Sequence, residues 1–386
     1  MQIIKHITVC SRPYEKFGYF AWPSIAKQAD GTIVVAASGL RYAHCCPWGR
    51  TVVLKSTDSG ETWTDPVVVN NTSLDDRDAG IISLGGQRLA LTWFNSDSLR
   101  IWQKFKDTAT GTWDADHAIG GTILEAMDDE TVRQNLGSFL RVSEDGEYWG
   151  PVLRVPVTTP HGFIVLKDGS WLYLGKLWRI PLPEQKTCNG EGLPIVAFRS
   201  TDEGKSWTQL GSVSGTATPE FGGDFIEPAG RLLNRVKLPD TVKPDYHGIY
   251  SEPHVIELDN GDLLGAVRYQ YPYKTYFTRS SDGGSTWSPL EDTGINGVPP
   301  HFLRHSSGAV ICAFGYRNNP MGQRVRVSWD NGVTWTDDFV LRDDGPSPDL
   351  GYPASVELDD GSILTIYYQL FKSNQKCSLM GTIWRM

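Results

Sequence analysis

The stretch that decides the fold is SSDGGSTW, Ser280 to Trp287, because its pattern Ser-x-Asp-x-Gly-x-x-Trp recurs along the chain. The other full copies are STDSGETW, STDEGKSW and SWDNGVTW, starting at Ser56, Ser200 and Ser328, and a copy one residue shorter, SEDGEYW, starts at Ser143. The Asp side chain accepts hydrogen bonds from backbone N–H groups that follow it, and the Gly supplies the positive φ of a tight turn. Each copy therefore predicts a hairpin, with the Trp at the start of the next strand.

A second, weaker repeat alternates with the first. Six times, a turn that ends in Gly lies between two apolar runs, which is typical of a hairpin of two buried strands. These glycines are Gly31, Gly86, Gly169, Gly261, Gly308 and Gly361. Five of the hairpins are followed by a copy of the Asp turn, so that a unit contains four antiparallel strands. Six such units predict an all-β fold, a six-bladed β-propeller.

We expect one domain over residues 1–386, although this length also fits two or three ordinary domains. The sixth unit has no Asp turn, and we expect its last strand, near Gly381 to Arg385, to pair with the N-terminal segment and close the ring. Residues 95–137 do not fit the strand pattern and are predicted to be an insertion in the second blade. Within it, MDDETVRQNLG has the acidic start and the final Gly of a short helix.

Composition excludes several classes of protein. Apolar residues make up 40% of the chain, which is enough to bury a core. The net charge of −9 argues against nucleic acid or an anionic membrane surface as partners, and no apolar run is long enough to span a membrane. Neither the six Cys nor the His residues show metal-ligand spacing, so no metal or other cofactor is expected. The N-terminus has no signal-peptide pattern, which predicts a cytoplasmic protein.

The register of the six units predicts which side chains meet at one face of the channel. Nine residues before the Gly turn lie Trp22, Glu252 and Tyr352, each followed by Pro. The first strands also contribute Asp76, Arg77 and Asp78 in the second unit, His161 in the third, and His254 and His301 seven residues before the Gly turns of the fourth and fifth. The second strands run back toward the same face and contribute the arginines Arg41, Arg268 and Arg317. Because the planar guanidinium suits carboxylates, this basic face of an acidic protein predicts a pocket for an anionic sugar.

The Asp-turn repeat on a six-unit β pattern resembles the sialidase superfamily, in which such turns are called Asp boxes. SEPHVIELDNGDLLGAVR and GYPASVELDDGSILTIYY look like two sialidase segments of the catalytic face. The resemblance implies Tyr352 as the nucleophile and Glu252 as the carboxylate paired with it, within hydrogen-bond reach. It also implies that Arg268 and Arg317, with Arg41 as a further candidate, hold the substrate's carboxylate. A phenol avoids the repulsion that a carboxylate nucleophile meets at an anomeric carbon bearing a carboxylate.

Two features depart from the sialidase pattern. Ala21-Trp22-Pro23 stands where sialidases have Arg-Ile-Pro, so one arginine of their carboxylate clamp is absent. The loop RYAHCCPWGR contains no Asp or Glu where the family has its acid/base Asp. We therefore expect Asp78 or His44 to act as the acid, since an imidazole with a pKa of about 6.5 suits proton transfer near neutral pH.

The sequence thus predicts a sialidase-like retaining exo-glycosidase acting on a terminal acidic sugar of an oligosaccharide or glycoconjugate. Two alternatives stay open. A polysaccharide lyase acting on uronate-containing glycans would use Arg or protonated His to neutralise the carboxylate, and Tyr or His as the base. A glycan-binding propeller without catalysis is the other alternative, because the Asp turns identify the fold much better than the activity.

Overall fold

The computed structural model describes residues 1–96, 115–177, 194–216 and 250–386. Its first strand is β1 (Gln2–Cys10), which belongs to the last sheet of the molecule. The first blade contains β2 to β5, at Tyr19–Lys27, Ile33–Arg41, Arg50–Ser56 and Val67–Asn70. The second contains β6 to β9, at Asp75–Ser83, Leu89–Ser96, Gly137–Ser143 and Leu153–Val155.

The third blade contains β10 to β14, at Val157–Thr158, Ile164–Val165, Trp171–Leu177, Ile195–Ser200 and Thr208–Ser212. The fourth contains β15 to β18, at Tyr250–Glu257, Leu263–Tyr269, Lys274–Ser280 and Glu291–Ile295. The fifth contains β19 to β22, at Pro300–Arg304, Val310–Tyr316, Met321–Ser328 and Phe339–Gly345. The sixth contains β23 to β25, at Gly351–Glu357, Ile363–Gln369 and Ser378–Arg385, together with β1.

These antiparallel sheets confirm the predicted six-bladed β-propeller. Strand β1 pairs with β25, with Ile7 opposite Gly381, so the N-terminal segment closes the sixth blade as expected. The third blade differs from the others because its inner strand is split into β10 and β11, which both pair with β12. Pro160 has no N–H for the ladder and Gly162 has a φ of 80°, so the backbone between the two pieces leaves the sheet.

Two helices lie between β7 and β8 in the described part of the second blade. Helix α1 (Ala115–Ala126) precedes α2 (Asp129–Asn135), the short helix that the sequence predicts within residues 127–137. Asp128 caps α2 by accepting a hydrogen bond from the Thr131 N–H at 2.7 Å. Residues 97–114 of the predicted insertion lie outside the described residues. Neither helix is long and apolar enough to cross a membrane.

The Asp turns have the hydrogen bonds that their residue types predict. In the copy at Ser280, Asp282 accepts from the backbone N–H of Thr286 at 2.8 Å and from its hydroxyl at 2.6 Å. The Trp287 indole N–H donates to the Gly284 carbonyl at 3.1 Å, and the other full copies repeat these contacts. The Trp rings then pack into the apolar layers between neighbouring blades.

Each of the six junctions between neighbouring blades is filled by one apolar cluster of described residues. The junction of the sixth and first blades is an example, since Phe20 and Val35 pack there with Leu364 and Leu379. Because every blade is buried on both faces, the strands read as nearly continuous apolar runs. This packing fixes the inner strands around one channel. The polar and charged side chains that interrupt the apolar runs are concentrated in that channel.

Candidate active site

The same irregularity occurs in the inner strands of four blades. In each, two residues of the inner strand face one residue of the second strand, which is a β-bulge. The first bulged residues have left-handed backbone, at Trp22 (φ 52°), Asp78 (φ 49°), Glu252 (φ 48°) and Tyr352 (φ 53°). Three of the four precede a proline, whose missing N–H suits an unpaired position. The propeller therefore uses the same β-bulge in four blades to direct four side chains into the channel.

Positive φ at a bulky residue other than Gly is energetically unfavourable and costs roughly 1–3 kcal/mol per residue, so it persists only where the surroundings enforce it. Such residues concentrate at functional sites. All four bulged residues have polar or aromatic side chains. Three of them can act in proton transfer or nucleophilic attack, namely the phenol of Tyr352 and the carboxylates of Asp78 and Glu252. The bulges mark this layer of the channel as the candidate active site.

Tyr352, Glu252 and Arg268 form a hydrogen-bonded triad in this layer. The Tyr352 hydroxyl donates to Glu252 Oε1 at 2.7 Å, and Arg268 Nη1 lies 3.2 Å from the Tyr352 oxygen. The same Arg268 nitrogen is ion-paired with Glu252 Oε2. Burial, together with the charge of Glu252, raises the pKa of Tyr352 well above its usual value. The phenol therefore keeps its proton at rest, and Glu252 is positioned to take that proton when the oxygen attacks.

A second arginine lies beside the triad. The guanidinium carbon of Arg317 is 5.2 Å from the ring centre of Tyr273, and that of Arg268 is 5.8 Å from the same ring. Tyr273 thus holds the two cations next to each other through cation–π contacts. The Nε atoms of both arginines are buried and have no hydrogen-bond partner among the described residues. Unsatisfied buried donors are costly, so this pair is suited to an anionic ligand.

Trp22 contacts the Tyr352 ring, with 6.4 Å between ring centres, and is covered by arginines from its own and the next blade. The guanidinium carbon of Arg77 is 4.1 Å from the Trp22 ring centre and that of Arg41 is 4.8 Å away. Arg41 is completely buried and forms a two-point ion pair with the buried Asp75, at 2.6 and 2.8 Å. Arg41 therefore supports the pocket wall, whereas 12% of the Arg77 side chain is exposed.

Asp78 is almost completely buried, at 6% exposure, and its Oδ1 has no partner among the described residues. Its pKa is raised to about 7, chiefly by burial and in part by the charge of Glu252, although the guanidinium of Arg77 acts in the opposite direction. Asp78 is therefore a carboxyl group that carries a proton in a useful fraction of molecules near neutral pH. Asp76, by contrast, is held by Thr72, with its Oδ2 accepting from the Thr72 N–H at 2.9 Å and its Oδ1 from the hydroxyl at 2.8 Å.

His44 lies in the loop that follows β3, packed against the Trp22 ring with 4.9 Å between ring centres. Its Nδ1 is 3.0 Å from Asp349 Oδ1, in the loop that precedes β23. We call the end of the channel where these two loops meet the mouth. The hydroxyls of Tyr19 and Tyr368 also donate to Asp349, at 2.9 and 3.0 Å. His44 remains 44% exposed at its side chain, so it is accessible from the mouth.

The charges of this pair are set by burial and by the hydrogen bonds around it. Desolvation lowers the pKa of His44, and its contact with Asp349 partly opposes that shift. Burial acts to raise the pKa of Asp349, but hydrogen bonds from His44, Tyr19 and Tyr368 outweigh it and lower the value to about 2. Asp349 is therefore a permanent anion that orients the imidazole.

The three predicted histidines, from the third, fourth and fifth blades, form a cluster in the channel. The rings of His254 and His301 are stacked at 4.5 Å, and His161 contacts both edge-on. All three are buried, and the pKa of each is lowered by desolvation, to about 3 for His254. The described residues contain no group of three or more His, Cys, Asp or Glu arranged to hold a metal ion. These rings are neutral packing groups of the channel.

The structure brings together most of the residues that register predicts. The triad, Arg317, Trp22, Arg77, Asp78 and His44 all belong to one connected set of contacts, whereas Arg41 lies behind the wall and His161, His254 and His301 are packed together. Sequence reasoning missed Asp349, Tyr19, Tyr368 and Tyr273. Only Tyr368 had a signal, because it lies seven residues after Gly361, the same offset that places Arg268 after Gly261.

Comparisons with known proteins agree with the fold. The BNR repeat-like domain family matches residues 179–365. A Dyadobacter fermentans protein of unknown function is 20% identical, with 99% of this chain and 98% of that chain covered and a TM-score of 0.70. The NanB sialidase from Streptococcus pneumoniae is 13% identical, with 97% of this chain and 70% of that chain covered and a TM-score of 0.61.

The Trypanosoma rangeli sialidase in complex with the inhibitor DANA is 15% identical, with 98% of this chain and 59% of that chain covered and a TM-score of 0.58. No curated protein matches the chain. At these identities the similarity concerns the path of the backbone. The chemistry has to be derived from the side chains described above.

Proposed function

We propose that the chain, a divergent sialidase-like propeller, is a retaining exo-glycosidase that removes a terminal acidic sugar, such as a sialic acid or a related 2-keto sugar acid. The observation that carries the proposal is the triad in the channel, in which Tyr352 donates to Glu252 at 2.7 Å while Arg268 contacts both. A buried phenol with a carboxylate acceptor and an adjacent cation is an activated nucleophile beside an anion-binding group.

In the first step the Tyr352 oxygen bonds to the anomeric carbon as the bond to the leaving oxygen breaks. The phenol proton passes to Glu252, and the leaving oxygen takes a proton from a separate acid. In the second step water adds to the same carbon and gives a proton back to the group that acted as the acid, while the bond to Tyr352 breaks and the phenol recovers its proton from Glu252. Two displacements at one carbon retain its configuration.

The positive groups around the triad support an acidic sugar as the substrate. Arg268 and Arg317 both contact the Tyr273 ring, and their buried Nε–H groups have no partner among the described residues, which suits a carboxylate. Trp22 and the Arg77 stacked on it form the facing wall. Trp22 is only 1% exposed, so it supports Arg77 in this wall from behind, and the proposed pocket holds the carboxylate with Arg268 and Arg317.

The leaving oxygen needs an acid, and two groups are placed near the sugar. Asp78 is buried in the same layer as Glu252, and burial raises its pKa to about 7. His44 is exposed at the mouth, where the rest of a glycan has to leave the pocket. Geometry is the first criterion for such an acid, and the pKa is the second.

The test is hydrolysis of fluorogenic sialosides and related 2-keto-acid glycosides by the purified chain, with the anomer first released identified by proton NMR. We expect the retained anomer. Tyr352→Phe and Glu252→Gln should each lower kcat by on the order of 10²-fold or more, because each removes part of the nucleophile. Tyr148→Phe is the matched control, since Tyr148 is 82% exposed and lies far along the chain from the triad, in the shorter Asp turn.

Three results would overturn the proposal: no cleavage of any acidic glycoside, release of the inverted anomer, or unchanged turnover by Tyr352→Phe. Formation of an unsaturated uronate product, detected by its ultraviolet absorbance, would replace hydrolysis by a lyase reaction. Binding of an acidic glycan without turnover, lost in Arg268→Ala and kept in Tyr352→Phe, would indicate a glycan-binding propeller.

A further inference from the structure

We propose that His44, held by Asp349, is the acid and base of the reaction at the leaving oxygen, and that Asp349 is the residue that positions it. This inference rests on the proposed function, and it adds a residue, Asp349, that no sequence pattern indicates. It begins from the hydrogen-bond network at the mouth, which joins a loop of the first blade to a loop of the sixth.

Asp349 is the centre of this network. It accepts from His44 Nδ1 at 3.0 Å, from the Tyr368 hydroxyl at 3.0 Å and from the Tyr19 hydroxyl at 2.9 Å. The thiol of Cys377 lies 3.5 Å from its other oxygen. A half-buried carboxylate with this many donors is fixed in position, and the imidazole that it contacts has Nδ1 directed to Asp349 and to the Tyr19 hydroxyl, which lies 3.0 Å away. Nε2, on the opposite edge of the ring, is therefore the atom available for proton transfer.

The position of His44 relative to the triad fits the leaving group. The Trp22 ring contacts both, with 4.9 Å to the His44 ring centre and 6.4 Å to the Tyr352 ring centre. Trp22 is 1% exposed whereas the His44 side chain is 44% exposed, so His44 is nearer the mouth. In an exo-acting pocket the terminal sugar fills the inner layer and the leaving oxygen faces the mouth. Asp78 is buried in the inner layer beside Glu252. It is therefore deeper in the channel than the expected position of the leaving oxygen.

The proposed steps balance in atoms and charge. Protonated His44 gives its Nε2 proton to the leaving oxygen as Tyr352 bonds to the anomeric carbon and passes its proton to Glu252. In the return step neutral His44 takes a proton from the attacking water at Nε2, and Glu252 returns its proton to Tyr352. The Asp349 carboxylate stabilises the imidazolium in both steps. The net change is addition of one water across the glycosidic bond.

Several charged and titratable groups face the pair and set its pH response. Asp349 favours the protonated imidazole, whereas Arg77 and Arg41, from the second and first blades, oppose it. Tyr19, Tyr368 and Cys377 face the carboxylate. Desolvation of the ring lowers the pKa of His44, so the reaction that needs imidazolium should lose rate as the pH rises above a value lower than about 6.5.

The decisive measurement compares substrates with good and poor leaving groups. A nitrophenyl or methylumbelliferyl glycoside needs no protonation to leave, whereas an oligosaccharide does. For Asp349→Asn and His44→Gln we expect kcat on the oligosaccharide to fall by about 10² or more with KM changed little, and a much smaller loss on the aryl glycoside. Asp343→Asn, the same substitution at an exposed position six residues earlier, is the matched control and should behave as the parent.

A structural role for Asp349 would lower both activities together, and that result would overturn the proposal. Leaving-group dependence in Asp78→Asn but not in His44→Gln would also overturn it and assign the acid to Asp78. Nitrogen-15 NMR of the histidines without substrate tests the pair independently of activity. We expect His44 to be the Nδ1–H tautomer in the parent and to have a lower pKa in Asp349→Asn, and a ring unaffected by that substitution would contradict the positioning role.

If the parent cleaves no acidic glycoside, the proposed function and the proton-transfer step fail together. The NMR result then still decides whether Asp349 positions His44. If hydrolysis is observed but the leaving-group test fails, the proposed function stands and the acid is not His44. The two failures are therefore distinguishable.

Discussion

At the scale of single residues, the site depends on charges buried behind it as much as on those that face the pocket. Asp75 is completely buried and is shared by Arg41, at 2.6 Å, and Arg77, at 3.3 Å. Arg77 also donates to the His44 carbonyl at 2.9 Å and lies on the Trp22 ring. One carboxylate thus fixes the arginine, the indole and the loop that carries His44.

Asp75→Asn should destabilise the protein strongly, because it leaves a buried guanidinium without its counter-ion. We expect a loss of about 3–5 kcal/mol in the free energy of unfolding, measured by urea denaturation. Asp65→Asn is the control, since it removes an exposed partner of Arg12, with 94% of the Asp65 side chain accessible. Exposed pairs contribute little. Equal losses in the two variants would contradict this interpretation of Asp75.

At the scale of the element, two local features recur in the propeller: the Asp turn in the first five blades and the β-bulge in four blades. The Asp turn closes the outer hairpin with side-chain hydrogen bonds and places a Trp in the apolar layer between blades. The β-bulge bends the inner strand and places one side chain in the channel, at Trp22, Asp78, Glu252 and Tyr352. Stability and chemistry therefore come from opposite edges of the same sheet.

The turn at Ser200 allows the first feature to be tested. Asp202 accepts from Ser206 N at 2.9 Å and from the Ser206 hydroxyl at 2.6 Å, and these hydrogen bonds lower its pKa to about 2. Asp202→Ala should lower the midpoint of thermal unfolding, measured by calorimetry, whereas Lys205→Ala in the same turn should not. A similar midpoint in both variants would show that the Gly and Trp hold the turn without the carboxylate.

At the scale of the whole molecule, the channel gathers groups from all six blades and excludes water from some of them. His161, His254 and His301 come from three consecutive blades and meet ring to ring. Both ring nitrogens of His161 lack a hydrogen-bond partner among the described residues. A neutral histidine cluster in the channel connects the stability of the ring to pH.

Stability should fall as the pH decreases from about 7 to about 5. Desolvation lowers the folded-state pKa of each clustered histidine, to about 3 for His254, so below about pH 6.5 the unfolded chain binds more protons than the folded one. Each histidine then contributes a slope of about 1 kcal/mol per pH unit. His161→Phe should flatten the curve measured by urea denaturation between these pH values, and an unchanged slope would contradict the assignment.

The sequence alone determined the fold. The spacing of the Asp turns and of the Gly hairpins is local chemistry, since a turn needs its Asp and Gly within a few residues of each other. Counting the units was therefore enough to predict six blades. The same register predicted Glu252, Tyr352 and Arg268, because their offsets from the Gly turns repeat from blade to blade.

Only the tertiary structure decided which of the aligned residues face the pocket and what holds them there. Arg41 and Arg77 both pair with Asp75 and both lie on the Trp22 ring, yet Arg41 is completely buried whereas 12% of the Arg77 side chain is exposed. Asp349 is identified as a site residue only by its hydrogen bonds with His44, Tyr19 and Tyr368, which lie 305, 330 and 19 residues away along the chain. The contacts of Asp349 with His44 and Tyr19 form only when the ring closes, because the sixth blade then packs against the first.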